Sequence, residues 1–227
     1  MHVYSFYKFT KLNDLSKLRN SLYKCLDELN IKGTILISNE GINVNISQEN
    51  SLLDDALKRI NNFIDIENIF INKGSSNEIA FEKLKVKIKD EIIKFNSPIY
   101  EDNSDKLKTI DPDSWEKLLD ENIQLIDMRN SFEYSLGTFS NAINLKLINF
   151  TDLRERKKIL NKLDKSKKTA IFCTGGIRCE KAGRYLSSLG FDDVYQLKGG
   201  IINYLNSNKN KWSGDCFVFD DRILIKN

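Results

Sequence analysis

The sequence predicts an α/β protein of two domains, an α+β sandwich followed by an open parallel sheet covered by helices. Three observations predict it. Residues 1–95 run in the order strand, helix, two strands, helix, strand, with one further strand after them. Both prolines, Pro98 and Pro112, fall within 96–113 together with the polar run Glu101-Asp102-Asn103-Ser104-Asp105, which reads as a linker. From 114 onward, short apolar strands alternate with helical stretches, the order of a parallel sheet buried on both faces.

In the first half, Val3–Phe9 is rich in large β-forming residues. Leu15, Leu18, Leu22, Cys25, Leu26 and Leu29 then recur at helical spacing, with Asn13 or Asp14 as the cap. Gly33 opens the strand Thr34-Ile35-Leu36-Ile37. Beyond the turn Asn39-Glu40-Gly41, Ile42, Val44 and Ile46 alternate with polar residues as a paired strand. A helix over 51–63 and strands over 66–71 and 84–95 complete a split β-α-β, ferredoxin-like sandwich. In the second half Ser114 caps a short helix carrying Trp115, Leu118 and Leu119. Gln124–Asp127, Thr169–Phe172 and Val194–Leu197 read as buried strands, and 179–189 as a helix ended by Gly190. The expected domains are 1–95 and 114–206, joined by the linker 96–113 and followed by an extension, 207–227.

Composition narrows the chemistry. A net charge of +3 gives a weak global field, so a nucleic-acid partner would have to meet a local basic patch. The four cysteines are scattered and form no C-x-x-C pair, which argues against a secreted disulfide scaffold. His2 is the sole histidine, which leaves little room for histidine catalysis or the usual zinc sites, so no metal is expected. No apolar run approaches the ~20 residues of a membrane span, and the first residues do not read as a signal peptide. The expected location is the cytoplasm, and no obligate protein partner is evident.

The residues that carry chemistry are Cys173-Thr174-Gly175-Gly176-Ile177-Arg178. Cys173 directly follows an apolar strand, and a helix starts just after Arg178. In open parallel sheets, sites form at the carboxyl ends of strands. The glycines let the loop turn its N–H groups inward as an anion nest at a helix N-terminus. That field, with the Arg178 charge beside it, should depress the Cys173 pKa and place a reactive thiolate at the loop's mouth.

This loop resembles the active loop of the rhodanese superfamily. Upstream, Leu125-Ile126-Asp127-Met128-Arg129, Glu133, Gly137-Thr138-Phe139 and Asn141-Ala142-Ile143-Asn144 match that family's first motif, and Val194 to Ile201 its closing one. The related dual-specificity phosphatases carry a loop one residue longer, so persulfide chemistry ranks above phosphate hydrolysis. A closer resemblance spans nearly the whole chain. Lys32 to Asn43, Leu84 to Ile92, Asp127 to Asn130, Cys173 to Lys181, and Trp212 with Gly214 to Arg222 resemble the tRNA uridine hydroxylases that contain a rhodanese domain. The resemblance implies tRNA as partner, molecular oxygen as co-substrate, and formation of 5-hydroxyuridine at position 34. No cofactor is evident. Longer members carry a cysteine-rich tail after the Phe-Asp-Asp-Arg segment, whereas this sequence ends at Asn227.

Several residues carry two readings. Asp127 and Arg129 fix the loop as an ion pair, or form an ordinary structural pair. Cys179 resolves an oxidised Cys173 as a disulfide, or packs in the core. Lys83, Lys85, Lys87 and Lys89 share one face of a strand, where they track tRNA phosphates or guard a sheet edge. Asn39 to Asn43 is a polar turn explained by turn chemistry or by substrate binding. Cys216 reads as packing. At the level of function, a sulfurtransferase carrying a Cys173 persulfide is the alternative to the hydroxylase. A non-catalytic binding module fits less well, because such modules tend to lose the nucleophile that Cys173 retains.

Overall fold

The structure, a computed structural model, describes residues 1–77, 79–97 and 107–226. The chain divides into two units, 1–102 with 219–223, and 103–218 with 224–227. In the first unit the elements are β1 (His2–Phe9), α1 (Leu15–Asp27), β2 (Lys32–Ser38), β3 (Gly41–Gln48), α2 (Asn50–Asn61), β4 (Asn72–Ser75) and β5 (Leu84–Ile88). The sheet order is β4-β1-β3-β2-β5, antiparallel except where β5 lies parallel to β2. This is the expected ferredoxin-like sandwich with one added edge strand.

Alternation on the strands builds its core. Tyr4 and Phe6 of β1, Ile35 and Ile37 of β2, Val44 and Ile46 of β3 and Val86 of β5 meet Leu22 and Leu26 of α1 and Leu53, Ala56 and Ile60 of α2. Gly33 enters β2 at φ +148, where a Cβ would stand 2.2 Å from the Asn45 carbonyl oxygen, so only glycine fits.

Three expectations for this unit need correction. Residues 66–71 form no strand; the β-pairing starts at Asn72, because Asn68 turns the chain at positive φ. The strand expected over 84–95 ends at Ile88. Past it, the Ile92 amide bonds the buried Glu40 carboxylate (2.8 Å) and its carbonyl accepts from Asn43 (3.2 Å), which turns the segment off the sheet. The polar turn around Glu40 is thereby used internally. Asp14 stands at the N-cap of α1 in the left-handed region without a side-chain cap bond.

The second unit contains β6 (Leu107–Ile110), α3 (Pro112–Leu119), β7 (Gln124–Asp127), α4 (Ser131–Leu136), β8 (Gly137–Phe139), β9 (Ile143–Asn144), a 3-10 turn (Phe150–Arg156), α5 (Lys157–Leu160), β10 (Thr169–Phe172), α6 (Ile177–Ser188), β11 (Val194–Leu197), α7 (Gly200–Asn206), β12 (Trp212–Gly214), β13 (Cys216–Phe217) and β14 (Leu224–Ile225). Its main sheet, β6-β11-β10-β7-β9, is parallel throughout. Central β10, Thr-Ala-Ile-Phe, is buried along its whole length.

Part of the expected linker is built into this unit. Residues 98–106 lie outside the described residues, but Leu107–Ile110 pairs with β11 and Pro112 opens α3. The cap of α3 is Asp111, whose carboxylate accepts from the Ser114 amide at 2.8 Å; Ser114 itself lies inside the helix. The expected extension is likewise structural, since β12 pairs with β8.

An aromatic cluster fills one side of the sheet. The Phe139 ring lies 4.9 Å from Phe172, 4.8 Å from Tyr204 and 5.1 Å from Trp212, in edge-to-face contact. Phe139→Ala should therefore destabilise the protein by about 3–5 kcal/mol. Urea unfolding followed by near-ultraviolet circular dichroism measures this, and a loss below about 1 kcal/mol would contradict the central role given to this ring.

Candidate active site

The site is built where β10 ends. Its parallel neighbours β7 and β11 fix the direction in which the chain leaves the sheet, and α6 starts at Ile177. The loop between is held by backbone bonds. The amides of Ile201 and Ile202 in α7 donate to the carbonyls of Cys173 (3.0 Å) and Thr174 (3.1 Å). Gly200 makes that approach possible. It sits at φ +66, and a Cβ there would stand 2.4 Å from the Cys173 carbonyl oxygen. Gly176 turns the loop at φ +96 and donates its N–H to Cys173 Sγ at 3.2 Å. A Cβ on Gly175 would meet nothing within 4 Å, so this flank of the loop is open.

Cys173 is fully buried, on the floor of the loop rather than at its mouth as expected. Burial pushes its thiol up, but the opposing influences win. The Cys179 thiol, the Arg178 charge and the amides of Cys179 and Arg178 bring it down to about 6. Cys179 shows the reverse: burial and the neighbouring Cys173 sulfur raise it well above the ordinary thiol range. The two sulfurs thus form a thiolate held by a protonated thiol. Cys216, by contrast, is pushed up to about 12 by burial and belongs to the aromatic core, as expected of a packing residue.

Arg178 supplies the expected charge beside sulfur and has a second role as well. Its guanidinium is buried and donates to both oxygens of Glu133, at 2.7 and 2.8 Å, and to the Thr174 hydroxyl at 3.0 Å. Glu133 also accepts from Thr174 (3.2 Å) and from the Asn130 amide (3.1 Å), so each of its oxygens has two donors. Burial raises the Glu133 carboxyl, yet Arg178 and the Asn130 amide hold it below the usual carboxylate range. Glu133 was legible only as a member of a motif. The pattern Asn130-x-x-Glu133, a capping box at the start of α4, is the signal that could have placed it.

Asp127 and Arg129 do form a pair, both buried, with Nη2 2.6 Å from Oδ2. They do not fix the loop as the functional reading had it. Asp127 accepts from the Thr138 hydroxyl (3.2 Å), and Arg129 donates to the Gly137 carbonyl (2.6 Å) and lies 5.0 Å from the Trp212 ring. The pair ties β7 to β8 and β12. Lys83, Lys85, Lys87 and Lys89 are all exposed, on and around edge strand β5 of the other unit. Among the described residues no cluster of His, Cys, Asp or Glu could hold a metal ion, and no helix is long and apolar enough to cross a membrane.

Two measurements test this geometry. The thiolate absorbance of wild type, less that of Cys173→Ala, should titrate with a midpoint near 6; a midpoint near 9.0 would refute the nest. Between those values the unfolded chain binds the extra proton, so this group's contribution to stability is complete above about 9 and is lost as pH falls through about 6. Glu133→Ala should cost about 3–5 kcal/mol, because it leaves a guanidinium buried without its partner. Equilibrium unfolding in urea reads that loss, and wild-type stability in the variant would remove Glu133 from its place as the loop's anchor.

Comparison with known proteins agrees with both units. The family model of the UPF0176 acylphosphatase like domain matches residues 1–92, and that of the rhodanese-like domain matches residues 111–207. The tRNA uridine(34) hydroxylase of Pelagibacter ubique (strain HTCC1062) is 46% identical over 233 residues, covering 99% of this chain and 75% of that protein. The enzyme of the same name from Legionella pneumophila (strain Lens) is 39% identical, covering 97% and 89%. That of Synechocystis sp. (strain ATCC 27184 / PCC 6803 / Kazusa) is 37% identical, covering 99% and 82%. With both domains matched and identity sustained across nearly all of its length, this chain belongs to the tRNA uridine(34) hydroxylase family.

Proposed function

We propose that this protein modifies tRNA in the cytoplasm by hydroxylating uridine 34 to 5-hydroxyuridine, with molecular oxygen as co-substrate and Cys173 as the reactive group. The supporting observation is the buried Cys173 sulfur, held as a thiolate by inward amides in a chain related over nearly its whole length to hydroxylases of that name. The net reaction inserts one oxygen atom at the uracil ring. The second atom of dioxygen leaves as water, after two electrons and two protons arrive from a donor.

The geometry bears on which sulfur meets the substrate. The Cys173 sulfur is sealed beneath its loop, whereas a persulfide places its outer sulfur about 2 Å farther out. The same amides that hold the thiolate suit that outer sulfur. A persulfide would form when the Cys173 thiolate attacks the outer sulfur of a sulfane donor such as thiosulfate, whose S–S bond breaks as sulfite leaves; the thiolate is then the resting state. A sulfurtransferase would share this intermediate, and thiocyanate release from thiosulfate and cyanide identifies it.

The test is nucleoside mass spectrometry of total tRNA from cells lacking the protein, complemented with wild type or Cys173→Ala. Wild type should restore 5-hydroxyuridine derivatives and the variant should lower them at least a hundredfold. Full activity in Cys173→Ala would end the covalent role. No restoration by wild type, with thiocyanate released in vitro, would replace hydroxylation by sulfur transfer.

A further inference from the structure

Large apolar side chains are left in water beside the Cys173 loop. Phe132, at the second position of α4, is 47% exposed, although the next residue, Glu133, is the buried anchor of the loop. Its ring meets Phe217 edge-on, with centroids 5.0 Å apart. The Phe217 carbonyl lies 3.5 Å from the Thr174 hydroxyl, one residue from the reactive sulfur. The Ser131 amide donates to the Leu147 carbonyl at 2.7 Å, which brings Ile148, 76% exposed, to the same rim.

Cations are close in the chain to these groups, together with Asp152, whose carboxylate accepts from the Ile148 amide at 3.1 Å. Lys146 is exposed, and Arg156 donates from Nη2 to the Lys146 carbonyl at 2.9 Å. Lys157 and Lys158, both exposed, follow directly. A single apolar residue in water is ordinary. An aromatic ring next to a reactive loop, with cations close in the chain to its rim, is a combination with a chemical match. Unpaired nucleotides stack their bases on aromatic rings and give their phosphates to lysine and arginine. An apolar peptide would have no use for the cations.

We propose that Phe132 is a stacking platform for an unpaired nucleotide of the RNA substrate, buttressed by Phe217, with Lys146 and Arg156 supplying charge for the adjoining phosphates. This rests on the tRNA reading above and adds where the strand is held. It also gives the chain the local basic patch that its weak net charge requires of any nucleic-acid partner.

The experiment uses the full chain and a labelled anticodon stem-loop RNA. Phe132→Ala should weaken binding about tenfold, as loss of one base–aromatic stack does, and Phe132→Tyr should restore it. The Cys173 thiolate midpoint should stay at its wild-type value in both, which separates lost stacking from a damaged loop. Phe132→Trp supplies a direct signal. The native Trp115 and Trp212 are buried, at 0% and 3% exposure, so an indole at 132 is the solvent-exposed emitter, and the RNA should quench it at the concentration that saturates binding. Unchanged affinity in Phe132→Ala, or unquenched emission in Phe132→Trp while the RNA is bound, overturns the proposal even if wild type makes 5-hydroxyuridine in cells. If wild type neither binds the RNA nor makes the nucleoside, the functional reading falls and this proposal with it.

Discussion

Glu133 and Arg178 meet in the interior of the second unit, and the site depends on that meeting. An isolated charge of either sign would not be stable there. Together they form a two-pronged pair whose leftover valences reach outward, to Thr174 in the loop and to the Asn130 amide at the head of α4. One carboxylate therefore sets a helix start and a loop shape at once. The loop shape in turn aims the amides that stabilise sulfur. The charge of Arg178 still acts on Cys173 through space, but it does so from a fixed post rather than from a mobile side chain.

A second layer of order lies behind the first. Asp127 and Arg129 close β7 against β8 and, through the Arg129–Trp212 stack, against β12. Trp212 in turn packs on Phe139 and Phe172, the residue immediately before Cys173. The end of β10 is thus clamped by polar bonds on one side and by rings on the other. A thiolate needs such rigidity, because amides that drifted would solvate it no better than water does.

The three central strands of the parallel sheet were legible to the residue, since Gln124–Asp127, Thr169–Phe172 and Val194–Leu197 are short apolar runs with clear boundaries. Cys173, its glycines and the following helix were legible for the same reason: each local preference agrees with the fold. What was missed depends on partners distant in sequence. Leu107–Ile110 has little strand character of its own and becomes a strand because β11, more than eighty residues later, offers it an edge. The end of β5 at Ile88 is set by the buried Glu40 carboxylate capturing the Ile92 amide. Arg178 was legible as a charge for sulfur, but its salt-bridge partner Glu133, 45 positions upstream, was not. Period and propensity carry no information about such pairings.

The segment 219–223 belongs to the first unit, where the Asp221 amide bonds the Ala80 carbonyl. Every residue of the second unit's main sheet precedes it in the chain. On the ribosome, then, the unit that begins synthesis waits for one of its parts until after the second unit's main sheet has emerged. Its early sheet and helices can form while the rest is being made, but the piece that completes it emerges only after the reactive loop has been built. Quality control by proteases would read an interrupted chain as unfinished at its beginning as well as at its end.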